Sequence, residues 1–144
     1  MFHYIAIALD RSPESARALE SGIALAKQLN STLFTVTVKE PLPAFDYFAT
    51  LADSSAMRLL QEDHDRFYRD LIEEAVHKGS EAGVTIKPLL LEGERVDTIV
   101  DFVSHHKIDL LVIGLHRSSL RTHSLWSTVY TLAQSLRCSM LGVH

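Results

Sequence analysis

Short apolar runs alternate with longer segments of helical periodicity along the whole chain. The run YIAIAL, residues 4–9, ends at Asp10, and Pro13 shortly after it favours the start of a helix. Apolar residues then recur at the spacing of one helical face up to Leu29, and Asn30 is a typical helix end. The pattern predicts a strand followed directly by a helix.

A second strand and a long helix come next. Residues 33–38 are rich in Val, Thr and Phe, as strands are, and two prolines close the run. After an irregular stretch, apolar side chains fall on one stripe of a helix that ends near a glycine at position 79 or 83. The members of this stripe are Leu60, Phe67, Leu71 and Ala75. This helix is predicted to be the longest element.

The third and fourth strands are expected to be covered differently. The run from Val84 to Leu91 contains Pro88, which has no N–H to donate to a neighbouring strand and is usually confined to sheet edges. Residues 109–113, DLLVI, are almost continuously apolar, which is typical of a strand buried on both faces. We therefore expect the third strand at an edge and the fourth in the middle of one sheet.

The remaining apolar patterns complete an alternation of strands and helices. A helix that follows Glu94 carries Val96, Ile99, Val100 and Val103, and another, over about 124–136, leads to a final strand from Met140 to Val143. Five strands alternating with four helices predict an α/β fold, an open, doubly wound parallel sheet whose right-handed crossovers place helices on both faces. Residues 1–144 are predicted to form a single domain.

Composition and charge narrow the class of protein. Of the 144 residues, 47% are hydrophobic and 22% charged, which is ordinary for a globular protein with one core. Nucleic-acid binders present a basic face, whereas this chain has a net charge of -4, so we expect no nucleic-acid partner. No stretch has the ~20 apolar residues of a membrane span, and the first residues resemble a strand rather than a signal peptide. We expect no membrane association and a cytoplasmic location.

The sequence indicates neither a disulfide, a metal site nor a catalytic constellation. Cys138 is the only cysteine and adjoins an apolar run, as a structural thiol does. The pairs His105 with His106 and His116 with His123 fit no zinc-binding pattern, so no metal ligand is assigned. The chain also lacks a Walker A loop and a Gly-x-Ser-x-Gly elbow, and we predict that it is not an enzyme.

Polar residues follow the two strands that are expected to be central. Asp10 ends the first strand, and Gly114 with His116 ends the fourth. In an open parallel sheet, ligands bind beyond the carboxyl ends of the strands, at the point where the strand order reverses. If these two strands are neighbours, Asp10 and Gly114 flank one crevice. An alternative role for Asp10 is to cap the helix that begins at Pro13.

Two segments of the chain resemble the universal stress protein family. IAIALDRSPESARAL is similar to the family's opening strand, aspartate, turn and helix. LLEGERVDTIVDFVSHHKIDLLVIGLHRS is similar to the segment that runs from the family's third strand into its glycine loop. The resemblance covers essentially the whole chain in the order of its elements. It implies a Rossmann-like sheet of strand order 3-2-1-4-5, which agrees with the edge position that Pro88 indicates.

The glycine loop of the family's ATP-binding members, Gly-x2-Gly-x9-Gly-(Ser/Thr), is matched here in part. Gly114 and Thr128 occupy its first and last positions, whereas Arg117 and Ser127 stand in place of the second and third glycines. The resemblance implies that Asp10 and Val38 contact the adenosine end of a nucleotide and that Gly114, Ser127 and Thr128 face its phosphates. His116 and Arg117, which follow Gly114, are further candidate residues of this site.

Replacing the two glycines has two opposing effects on how tightly the implied site would bind a phosphate. A side chain fills space through which backbone amides approach a phosphate, and a left-handed conformation at Arg117 would cost ~1–2 kcal/mol. A charge-assisted hydrogen bond from the Arg117 guanidinium to a phosphate, worth ~1.5–3 kcal/mol, would offset that cost. Ser127 and Thr128 have the alternative role of capping the last helix.

Three functions follow from these patterns, in descending order of support. The first is a stress-response regulator that binds ATP or another adenine nucleotide weakly and changes its affinity for an unknown regulatory protein partner. The second is a nucleotide-free adaptor that forms a homodimer by pairing the strand Met140 to Val143 with its copy in another subunit. The third is a slow ATPase or nucleotidyl transferase with the same sheet architecture, for which the fold alone gives no support.

Overall fold

The computed structural model describes residues 1–40, 54–116 and 123–144, which form five strands and four helices. Each strand and helix that the apolar pattern predicts is present. In chain order the elements are β1 (Tyr4–Ala8), α1 (Pro13–Leu29), β2 (Thr32–Lys39), α2 (Ser54–Glu81), β3 (Ile86–Glu92), α3 (Arg95–His105), β4 (Leu110–Gly114), α4 (His123–Ser135) and β5 (Ser139–Val143).

The strands form one parallel sheet in the order β3-β2-β1-β4-β5. This confirms the predicted order and the edge position of β3, in which Pro88 lies opposite Thr35 of β2. β1 and β4 are neighbours, with Ile7 opposite Val112, so their carboxyl ends meet where the strand order reverses. The arrangement is a doubly wound α/β fold.

Alternate residues of the central strands pack against opposite layers of helices. On β1, Ile5 and Ile7 join the core beneath α1 and α2, whereas Ala6 faces the core beneath α3 and α4. On β4, Val112 joins the core beneath α1 and α2, and Leu111 joins the core beneath α3 and α4. β4 is therefore buried on both faces, as its continuous apolar run predicts.

The long helix α2 is covered by the sheet over only part of its length. Ala75 is 1% exposed, but Leu60, on the predicted stripe, is 44% exposed. A helix of 28 residues is about 42 Å long, whereas the neighbouring strand β2, with 8 residues, spans about 27 Å. The first turns of α2 therefore extend past the sheet. Neither α2 nor any other helix in the described ranges is long and apolar enough to cross a membrane.

The end of α2 determines where β3 begins. Gly83 has a positive φ of 77°, and Val84 N donates to the carbonyl oxygen of Gly79 at 2.8 Å, which closes the helix. Because Val84 takes part in this turn, β3 starts at Ile86, two residues after the position that the apolar run predicts.

Cys138 is half-buried just before β5, where it packs against the core beneath α3 and α4. Burial raises the pKa of its thiol, which keeps the sulfur protonated and poorly nucleophilic at neutral pH. These surroundings suit a structural thiol.

The first turn of α3 is capped by Glu94. Its carboxylate accepts a hydrogen bond from Asp97 N at 2.8 Å, and this bond is the main reason that the pKa of Glu94 is lowered. The cap fixes the direction in which α3 leaves the end of β3, and so places Arg95, the first residue of the helix.

We expect Glu94→Gln to lower the thermal unfolding midpoint at neutral pH, because a neutral amide is a weaker acceptor for the Asp97 N–H. A carboxyl whose pKa is lowered by folding stabilises the fold when ionised, and that contribution is lost as the pH falls through the folded pKa. The difference in midpoint between wild type and variant should therefore shrink below the range in which glutamate ordinarily titrates. Circular dichroism melts at neutral and acidic pH measure it, and an undiminished difference in acid would contradict the role of the charge.

Candidate functional site

A crevice opens at the carboxyl ends of β1, β2 and β4, on the side of the sheet that α3 and α4 cover. The cavity between its described walls has a volume of about 40 Å³, so the crevice is narrow. Its apolar walls come from four elements, with Val38 on β2, Ile113 on β4, Ile99 on α3 and Leu132 on α4. Walls of this kind favour contact with an apolar or aromatic part of a ligand.

Asp10 stands just past the end of β1, with one carboxylate oxygen already engaged. Its Oδ1 accepts hydrogen bonds from Ser12 N at 2.7 Å and from Ser12 Oγ at 2.5 Å, which fixes the turn into α1. The N-cap of α1 is Ser12, whose Oγ accepts from Ser15 N, because Ser12 directly precedes the first helical residue. The alternative prediction that Asp10 caps this helix is therefore wrong.

Gly114 ends β4 where α1 passes close to the sheet. A Cβ atom on this residue would lie 2.5 Å from the carbonyl carbon of Glu14 and 2.6 Å from the nitrogen of Ser15, both in the backbone of α1. Only glycine leaves room for an approach this close. The glycine at this position therefore has a packing role in addition to any role towards a ligand.

His116 follows β4 and faces the first turn of α1. Its Nδ1 lies 2.9 Å from Glu14 Oε2, and Arg17 lies 3.5 Å from the same carboxylate. His116 and Glu14 are both partly buried. The contact ties the chain after β4 to α1 and keeps the amino end of α1 beside the crevice.

Two further predicted site positions lie in α4, which begins at His123. Ser127 and Thr128 are inside this helix, where backbone N–H groups bond to carbonyl oxygens of the preceding turn, so the alternative prediction that they cap it is wrong. Thr128 lines the crevice, one helical turn before Leu132. The side chain of Ser127 and the whole of Arg117 lie outside the described residues.

Arg95 is a crevice residue that sequence reasoning did not identify. Its Nη2 lies 4.0 Å from Asp10 Oδ2, and its Nε lies 3.7 Å from Glu40 Oε1. As the first residue of α3, it places a positive charge where the helix dipole favours a negative one. That mismatch is the one signal in the sequence that pointed to a role outside the helix.

A second compartment, of about 360 Å³, opens on the opposite side of β2, towards α2. Phe67, Tyr68 and Leu71 of α2 line it, and the Arg11 guanidinium lies 3.5 Å from the centre of the Phe67 ring. Arg95 lines both compartments, so they meet at the ends of β1 and β2.

The polar edge of the crevice combines both signs of charge. Asp10, Arg95 and His116 are the titratable residues among its described walls. Within residues 1–40, 54–116 and 123–144, no three His, Cys, Asp or Glu side chains converge as a metal site would require. An apolar slot edged by a carboxylate and a guanidinium suits a ring system that carries hydroxyl groups.

The predicted site residues thus come together in part. The structure brings five of the seven to the lining of one crevice, namely Asp10, Val38, Gly114, His116 and Thr128. Their contact with a nucleotide stays a prediction. The other two, Arg117 and the Ser127 side chain, have no described position.

Known proteins with similar sequences and folds share this architecture. Universal stress protein MJ0531 of Methanocaldococcus jannaschii is 25% identical over 144 residues, which are 99% of this chain and 82% of that protein. Universal stress protein YxiE of Bacillus subtilis is 24% identical over the full length of both chains. Among solved structures, universal stress protein UspA from Lactobacillus plantarum has a TM-score of 0.78 at 18% identity and covers 99% of this chain and 98% of its own.

The model of the universal stress protein family matches residues 1–144, the whole chain. The match therefore includes every strand of the sheet and both sides of the crevice. The resemblance drawn from the segments around Asp10 and Gly114 is confirmed, and this chain belongs to the universal stress protein family.

Proposed function

We propose that this universal stress protein binds an adenine nucleotide in the crevice between the ends of β1 and β4. The observation that carries the proposal is the apolar slot at the switch point of the sheet, between Val38 and Ile113, with the Asp10 carboxylate at its edge. In this proposal the slot receives the base, and Asp10 accepts hydrogen bonds from ribose hydroxyls.

Ligands of solved family members support an adenine nucleotide. A universal stress protein with a TM-score of 0.71 and 23% identity was solved in complex with cAMP. A family member from Arabidopsis thaliana was solved with AMP bound, and one from Archaeoglobus fulgidus in complex with dAMP. Each of these ligands carries a single phosphate. Two glycines of the phosphate site are replaced here, and a monophosphate needs fewer backbone contacts from that site than ATP does. We therefore propose that AMP binds at least as tightly as ATP.

Calorimetric titration with ATP, ADP, AMP and cAMP tests the proposal. We expect saturable binding of AMP with one site per chain and a dissociation constant of about 1 mM or tighter, which corresponds to about −4 kcal/mol. The absence of heat for all four nucleotides at that concentration would refute it.

We propose a regulatory role in which nucleotide occupancy changes the affinity for a protein partner, without turnover of the nucleotide. The family membership supports this role. The identity of the partner, the cytoplasmic location and the single domain over residues 1–144 stay predictions, as does phosphate contact by Gly114, Arg117, Ser127 and Thr128.

A second proposal concerns a homodimer formed through β5. The edge strand β3 carries Lys87, Pro88 and Glu92, which disfavour pairing with another strand. The other edge strand, β5, reads SMLGV, with neither charge nor proline, and Leu141 is 37% exposed. We propose that two copies pair β5 with β5 about a two-fold axis, so that the backbone groups on the outer edge of each strand bond to the other copy.

Leu141→Lys is expected to convert the proposed dimer to a monomer, because two lysines would face each other across the two-fold axis. Light scattering coupled to size exclusion measures the mass. The matched control is Leu90→Lys on the opposite edge strand, where the wild-type leucine is 44% exposed, and it should leave the dimer intact. A wild-type monomer at working concentration would contradict the proposal.

A further inference from the structure

Arg95 lies between the carboxylates of Asp10 and Glu40, which follow β1 and β2, and forms a direct hydrogen bond with neither. Its distances of 4.0 Å to Asp10 Oδ2 and 3.7 Å to Glu40 Oε1 are those of ion pairs without a direct hydrogen bond. The side chains of Arg95 and Asp10 are 31% and 34% exposed, so water screens this pair only in part, whereas Glu40 is 60% exposed and its pair with Arg95 is screened more strongly. Among the described residues, the guanidinium therefore attracts Asp10 Oδ2 by charge without a direct hydrogen bond to it.

Glu40 restrains Arg95 because its own backbone is held by α2. The Glu40 N–H donates to Tyr68 Oη at 3.2 Å, and the Glu40 carbonyl oxygen lies 2.8 Å from His64 Nε2. With its backbone fixed at both groups, Glu40 draws the guanidinium towards the end of β2. Without Glu40, Arg95 would be free to close on Asp10 in the bidentate pair that arginine and carboxylate favour.

We propose that Arg95, restrained by Glu40, is a positioning and specificity-determining residue that directs Asp10 Oδ2 to the hydroxyl groups of a ribose. This rests on the proposed binding of an adenine nucleotide. Within residues 1–40, 54–116 and 123–144, Ser12 engages Asp10 Oδ1, and Oδ2 is therefore the oxygen that we assign to a ligand. The arrangement selects a sugar that can donate hydrogen bonds over a dideoxy sugar that cannot.

The test compares AMP, adenosine and 2′,3′-dideoxyadenosine monophosphate on wild type and Arg95→Gln, by titrations followed with NMR, which detects millimolar affinities. We expect the variant to weaken AMP and adenosine by the same factor, about five- to tenfold, because both present ribose hydroxyls. The affinity for the dideoxy ligand should not change. Arg95→Lys, which retains the charge, should recover most of the lost affinity, and unchanged thermal midpoints would show that each variant is folded.

A double-mutant cycle tests the restraint by Glu40. Glu40→Gln should weaken the same two ligands, because the released Arg95 closes on Asp10. Adding Glu40→Gln to Arg95→Gln should cause no further loss, since Glu40 acts only through Arg95. Additive losses would overturn this part of the inference.

Other outcomes would overturn the role of Arg95 as a whole. An equal loss for all three ligands would mean a merely structural role, and a loss confined to AMP would mean contact with the phosphate. Wild-type affinity in Arg95→Gln would also refute it. Failure of the proposed function itself would be visible earlier, as a wild-type protein that does not bind AMP.

Discussion

Replacing Gly114 with alanine is expected to lower the thermal unfolding midpoint by roughly 4–10 °C. The new Cβ would lie 2.5 Å from the carbonyl carbon of Glu14, 2.6 Å from Ser15 N and 2.7 Å from the oxygen of Glu14. These are backbone atoms, which cannot rotate away as the end of a side chain can. The start of α1 must shift from β4, and overpacking of this kind costs about 1–3 kcal/mol.

Gly83→Ala is the control, because it replaces a glycine at a position where the new Cβ meets no close backbone contact. Gly83 has a φ of 77°, and no described atom beyond its chain neighbours lies within 4 Å of the position its Cβ would take, so alanine there costs only the left-handed conformation, about 1–2 kcal/mol. Thermal melts of the two variants under the same conditions compare the costs. A Gly114→Ala midpoint equal to or above that of Gly83→Ala would contradict the close packing of α1 on β4.

Asp10→Asn is expected to reduce the affinity for AMP by about 10- to 100-fold while leaving the fold intact. The amide oxygen of asparagine can still accept the hydrogen bond from Ser12 N, so the turn into α1 is retained. The amide nitrogen, however, cannot accept a hydrogen bond from a ribose hydroxyl, and a hydrogen bond to a charged group is worth about 1.5–3 kcal/mol. Calorimetry with AMP measures the loss.

The matched control is Asp70→Asn on the exposed surface of α2, outside the lining of the crevice. It removes the same charge and should bind AMP as wild type does. An equal loss in both variants would mean that net charge, rather than the Asp10 carboxylate, governs the affinity. Unchanged affinity in Asp10→Asn would remove Asp10 from the site.

The strand order could be predicted largely because particular residues restrict where a strand can lie. Pro88 cannot donate to a neighbour, and its strand is at the edge of the sheet. The apolar run from Asp109 to Ile113 corresponds to β4, which is buried on both faces. Burial along α2 could not be predicted in the same way. Leu60 and Ala75 share a stripe, but the strand lengths decide that only Ala75 lies over the sheet.

The crevice could be predicted where residues sit at strand ends, and not where distant elements meet. Asp10 and Gly114 were identified from the ends of two apolar runs, and the structure places them in one crevice. Arg95 and Glu40 could not be identified, since their contact depends on how α3 and β2 approach each other. The close contact of Gly114 with α1 was also hidden, because a glycine in sequence does not reveal which backbone it touches.

Mapping of AMP onto the wild-type protein by amide chemical shifts reports both whether AMP binds and where it binds. We expect saturable shifts at Asp10, Val38 and Gly114, at the ends of β1, β2 and β4, with weaker changes on the β3 edge. The absence of shifts at about 5 mM AMP, about five times the dissociation constant expected, would contradict AMP binding. Shifts confined to residues away from these strand ends would contradict the proposed site.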